Sequence, residues 1–81
     1  MRLNTYRATF FARCPVNHAR VQYVLEISTP AVIAVESIND AVEGETRGFH
    51  EDIADRLHQA LGGTQILSAH HHGVDIRTER S

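Results

Sequence analysis

The chain has 81 residues, a net charge of −2 with histidines neutral, and 42% hydrophobic residues. That length makes one domain, residues 1–81; a core of this size buries only ~60% of the unfolded chain's surface, so a homo-oligomer is the expected supplement. A single cysteine excludes an intrachain disulfide and a multi-cysteine zinc site, and the acidic balance argues against a dedicated nucleic-acid binder, which needs a dense basic face.

Residues 1–30 lack the unbroken apolar segment of a secretory signal. No stretch approaches the ~20 apolar residues of a membrane helix. One reduced cysteine suits a cytoplasm. All eight Lys/Arg positions are arginine; Arg2, Arg7, Arg13 and Arg20 bias the first quarter positive, which leaves nucleic acid possible as a partner.

Residues 3–13 alternate, with Tyr6, Ala8, Phe10 and Ala12 on one face and Thr5, Arg7, Thr9 and Phe11 on the other. That is the period of a half-buried strand. Residues 20–29 repeat it, with Val21, Tyr23, Leu25 and Ile27 on the apolar side. The link Pro15–Ala19 is short enough for an antiparallel hairpin. Pro30 ends the second strand because it has no N–H for the ladder. Ala31–Val35 fits either a buried strand or a helix start; Ser37 as N-cap then opens a helix over about 38–43.

Gly44–Gly48 reads as a loop. Residues 49–61 carry an apolar stripe of Phe49, Ile53, Leu57 and Leu61, joined by Ala54 and Ala60, with Glu51 and Asp52 in the first turn. Gly62-Gly63 stops that helix. Residues 64–69 and 73–78 read as two strands around a His70–Gly73 turn, anchored by Ile66, Val74 and Ile76. The predicted class is α+β: β-β-α-α-β-β, a four-stranded antiparallel sheet with helices on one face. Its two free edges call for pairing with neighbouring subunits.

Three short stretches carry the chemistry. Cys14 ends the first strand in Phe11-Ala12-Arg13-Cys14-Pro15-Val16; Val35-Glu36-Ser37 follows Pro30; Phe49-His50-Glu51-Asp52 opens the long helix. In this order, over about residues 10–78, they resemble the 7-cyano-7-deazaguanine reductase family, the QueF-type nitrile reductases of the tunnelling fold (T-fold). The resemblance implies that Cys14 attacks the substrate nitrile to form a thioimide. It implies that Glu51 and His50 anchor the deazapurine, that Val35, Glu36 and Ser37 contact the base, and that sites lie at subunit interfaces. The chemistry is compatible: a guanine-like edge offers two adjacent N–H donors to one carboxylate, and a thiolate is a competent nucleophile near neutrality.

The chain also departs from that pattern. The family's proton-donating aspartate, seven residues after the cysteine, is here Val21, and no carboxylate occurs from Pro15 through Leu25; His18 is the candidate acid–base group. The family's lysine-rich NADPH-binding run is here Ile38-Asn39-Asp40-Ala41-Val42-Glu43, and its arginine in the last hairpin is His72. These losses imply no NADPH and no other cofactor. They match a QueF-like branch that passes the thioimide to ammonia and forms an amidine.

The partner expected is a 7-deazaguanine-type small molecule or modified nucleotide. Alternatives are an NADPH-dependent reductase homologue, a non-catalytic purine-binding module and a zinc-dependent pterin synthase-like enzyme of the same fold. The zinc enzymes use a His-x-His pair near their cysteine. Here His18-Ala19-Arg20 lacks the second histidine, and His70-His71-His72 alternates across a strand, so no metal site is expected.

Overall fold

A computed structural model describes residues 2–81. The elements run β1 (Asn4–Arg13), β2 (Arg20–Thr29), α1 (Val35–Glu43), α2 (His50–Leu61), β3 (Thr64–His71) and β4 (Val74–Arg80). The strands lie in the order β1-β2-β3-β4, every neighbour antiparallel. This is the α+β, T-fold-like arrangement predicted from the sequence.

Register decides what is buried. Ala8 faces Leu25, Leu25 faces Leu67 and Leu67 faces Thr78, so one row of side chains crosses the whole sheet. With Phe10, Ala12, Val21, Tyr23 and Ile27 this face packs against Ile38 and Val42 of α1 and Ile53, Ala54 and Leu57 of α2. The opposite face carries Arg7, Thr9, Phe11 and Gln22, all exposed. There the Arg20 guanidinium lies 3.8 Å from the centre of the Phe11 ring, beside an open depression of about 710 Å³.

Several local expectations are corrected. The first helix begins at Val35, because the Ala34 carbonyl accepts from the amides of Ser37 (3.0 Å) and Ile38 (3.3 Å). Ser37 therefore sits inside the first turn, and Ala34 is an N-cap without a side-chain bond. Ala31–Ile33 is neither strand nor helix. Phe49 is the N-cap residue of α2 and 51% exposed, so it stands outside the buried stripe; Ala60 is exposed as well.

The last hairpin is longer than expected and turns on His72-Gly73 alone, with φ of 50° and 80°. Those angles suit a two-residue turn whose twist matches the strands. Its anchors also differ. Leu67, Gln65 and Thr78 are buried, whereas Ile66 faces Glu26 on the open side and Val74 is exposed. Gln65 takes a core position because its amide nitrogen donates to the carbonyls of Leu57 (3.1 Å) and Gly62 (2.8 Å), tying off the end of α2.

Candidate functional site

Cys14 leaves β1 and is held at once. Its amide donates to the Ala19 carbonyl and its own carbonyl accepts from the His18 amide, both at 2.9 Å. Asn17 closes the loop by accepting the Ala19 amide (3.0 Å), which places His18 at φ 62°. The segment before α2 then lies alongside. The Arg13 amide donates to the Thr46 carbonyl (2.9 Å), and the Gly48 amide donates to the Arg13 carbonyl (3.2 Å). Gly48 also sits close to α2: a Cβ there would stand 2.7 Å from Arg56 Nη2 and 3.2 Å from Ile53 Cγ1, so a side chain would displace the Arg56 guanidinium.

Arg56 is fixed there by Glu45, whose carboxylate is 9% exposed at residue level and accepts from Nε (3.0 and 3.1 Å) and Nη2 (2.8 Å). An ion pair between the buried Glu45 and the half-exposed Arg56 thus sets the loop that carries Gly48 and Phe49 to the thiol.

The result is a recess of about 170 Å³ whose lining includes Cys14, Tyr23, Gly48, Phe49, His50 and His71. Cys14 is half-buried at its wall. The Tyr23 ring is stacked on Phe10, centroids 5.2 Å apart and planes at 14°. His50 also neighbours Tyr23, tilted at 46° with centroids 5.5 Å apart. His50 Nε2 lies 3.1 Å from the Leu67 carbonyl oxygen. A carbonyl only accepts, so this nitrogen carries the hydrogen and Nδ1 presents a lone pair. Nδ1 is buried without a hydrogen-bond partner among the described residues.

Burial pushes the His50 imidazole below its ordinary 6.5, against the opposing pull of the Leu67 carbonyl and Glu51. Burial, and then the charge of Cys14, push the Tyr23 hydroxyl above its ordinary 10.0. The recess therefore holds a neutral imidazole and a protonated phenol beside a thiol, and no carboxylate lines it.

The other sequence-selected residues lie elsewhere on the chain. Glu51 turns to Arg80 of β4, Oε2 to Nη2 at 2.8 Å, while Arg80 Nε also binds Asp55 at 2.8 Å. Val35, Glu36 and Ser37 are exposed on the first turn of α1. His18 is exposed, and its Nδ1 lies 3.3 Å from Arg47 Nη1, outside the recess lining. The three-histidine run splits its polar contacts, although the His71 and His72 rings touch edge to face with centroids 4.2 Å apart. His70 Nδ1 meets Asp75 (2.8 Å), His72 Nε2 meets Asn17 (2.6 Å), and His71 reaches the recess. Among the described residues no group of three or more His, Cys, Asp or Glu side chains converges as a metal site would require. No helix is long and apolar enough to cross a membrane.

Sequence reasoning missed Tyr23, read only as one of an apolar row. The available signal was chemical: a phenol in an otherwise aliphatic strand face brings a hydroxyl that needs a partner.

No family model matches the chain, and no curated protein matches it significantly. Among solved structures, the chain is similar to the crystal structure of the archaeosine synthase QueF-Like in its apo form. The two share a TM-score of 0.76 at 16% identity, over 96% of this chain and 90% of that one. At that identity the likeness establishes a shared fold.

Proposed function

We propose that this chain is a nitrile-transforming enzyme of 7-deazaguanine metabolism that works through a Cys14 thioimide and forms an amidine. The observation that carries the reading is the placement of the sole thiol in a recess with His50, on the fold of a QueF-like archaeosine synthase. Addition of the Cys14 sulfur to the nitrile carbon forms one C–S bond, and the thiol proton ends on nitrogen. Ammonia then forms a C–N bond as the C–S bond breaks, which returns the thiol. Neither step changes the overall oxidation level, so no NADPH enters the scheme.

The recess, at about 170 Å³, is smaller than the ~300 Å³ at the low end of small-molecule sites. A neighbouring copy supplies the missing wall. Glu51 and the Val35-Glu36-Ser37 turn are exposed and lie outside the recess of their own chain, so they serve the base from across such a junction. Glu51 then exchanges its Arg80 partner for the two N–H donors of the purine edge.

Intact-mass measurement with 7-cyano-7-deazaguanine tests this. The expected result is a mass gain equal to the ligand, absent in Cys14→Ala, and released by ammonia as the amidine. A wild-type protein that gains no mass at millimolar ligand refutes it.

A further inference from the structure

Two polar groups at the recess lack hydrogen-bond partners among the described residues, and their chemistry is complementary: one is the buried Nδ1 of His50 and the other the solvent-reached hydroxyl of Tyr23. Tyr23 is 3% exposed, packs against both Phe10 and His50, and lines the recess with Cys14. The other tyrosine, Tyr6, spends its hydroxyl on the Ile33 amide at 3.0 Å; no side-chain hydrogen bond of that kind engages Tyr23 among the described residues. His50 Nδ1 is a buried acceptor with nothing to accept from. A buried imidazole is almost always hydrogen-bonded, so an unmet acceptor in a residue that lines the recess, next to a phenol whose hydroxyl is free, marks the place of a reacting ligand.

We propose that Tyr23 is the proton donor of the Cys14 site, handing its phenol proton to the nitrile nitrogen as sulfur adds to carbon. This deepens the function proposed above and rests on it for the identity of the nitrile. The balance closes within the recess. The thiol proton passes to His50 Nδ1 as the thiolate forms, the C–S bond forms, and the nitrile π pair becomes a nitrogen lone pair protonated by Tyr23. The tyrosinate then recovers the proton held on His50. A phenol kept protonated by burial next to a thiolate is a donor and not a base, which is the role this step needs. The sequence-selected acid–base residue, His18, lies beside Arg47 outside the lining of its own chain's recess.

The test separates Tyr23 from purine recognition by using two small electrophiles on the intact protein. A heteroaryl nitrile such as 2-cyanopyrimidine needs a proton on nitrogen as it adds; iodoacetamide expels iodide and needs none. Tyr23→Phe keeps the ring and its stack on Phe10. It is expected to slow adduct formation with the nitrile by about 100-fold, within the usual range for a general acid, while iodoacetamide alkylates wild type and variant equally. Equal nitrile rates in the two proteins overturn the proposal. So does a wild-type nitrile rate no higher than that of glutathione. If 2-cyanopyrimidine shows the Tyr23 effect while 7-cyano-7-deazaguanine forms no adduct, the proton donor stands and the deazaguanine assignment falls.

Discussion

Replacing His50 with phenylalanine is expected to stabilise the protein while abolishing its reaction with the nitrile. The imidazole makes one hydrogen bond, to the Leu67 carbonyl, worth about 1 kcal/mol net. It also buries Nδ1 without a partner, a cost of about 1–3 kcal/mol. Phenylalanine loses the first and removes the second, and its ring keeps the tilted contact with Tyr23. The balance is a gain of roughly 0–2 kcal/mol, or up to ~10 °C in Tm for a domain of this size.

The gain depends on pH. Because the folded imidazole titrates below its ordinary 6.5, the unfolded chain takes up the proton first as pH falls. The stability of the neutral native form is complete above the unfolded value and is lost as pH drops from there through the folded one. His50→Phe removes that loss, so its Tm advantage widens from pH 7 to pH 5. Thermal scans at equal protomer concentration measure both effects, since assembly itself moves Tm. A variant whose Tm falls by more than ~4 °C, with a pH-independent offset from wild type, would show that Nδ1 is satisfied in the native protein and that His50 is a structural residue.

Two further outcomes follow from the packing, one beside the recess and one at the end of α2. Glu45→Ala removes the carboxylate that fixes Arg56; Arg56 is half-exposed and rehydrates, so the cost is about 1–2 kcal/mol by chemical denaturation, and iodoacetamide reaches Cys14 faster as the loop before α2 loosens. Gly62→Ala and Gly63→Ala each lower Tm, the second through a clash as well as backbone strain. Both need positive φ (69° and 74°), but a Cβ at Gly63 meets Ile27 Cγ2 at 3.0 Å and the Ser28 carbonyl oxygen at 3.1 Å, where one at Gly62 meets nothing.

The elements were legible where one period ran unopposed. Alternation in residues 4–13 and 20–29 gave both strands, because one face of each meets helices and the other does not. The second half was harder. Leu67 is the core anchor of β3, and Ile66 is not, because pairing with β2 sets the register and Leu25 stands opposite Leu67; composition alone favoured the β-branched neighbour. Ala31–Val35 fitted a strand or a helix start equally, and the Ala34 carbonyl starts the helix at Val35. Within the candidate site, Cys14 and His50 could be selected from sequence and line one recess. Tyr23 carried only a chemical hint, its hydroxyl in an apolar row; its stacking on Phe10 depends on a register fixed only when β1 and β2 pair. The Glu51–Arg80 contact, which joins the start of α2 to the end of β4, was not legible.

The strands lie side by side in chain order, and this has a kinetic consequence. Each outer pair can zip from its own short turn on a microsecond scale. The central seam between β2 and β3 instead waits for residues 30–63 to be drawn in, both helices included. The rate-limiting closure therefore belongs to that seam, and lesions there slow the approach to the native state, whereas lesions at the two rims chiefly hasten escape from it.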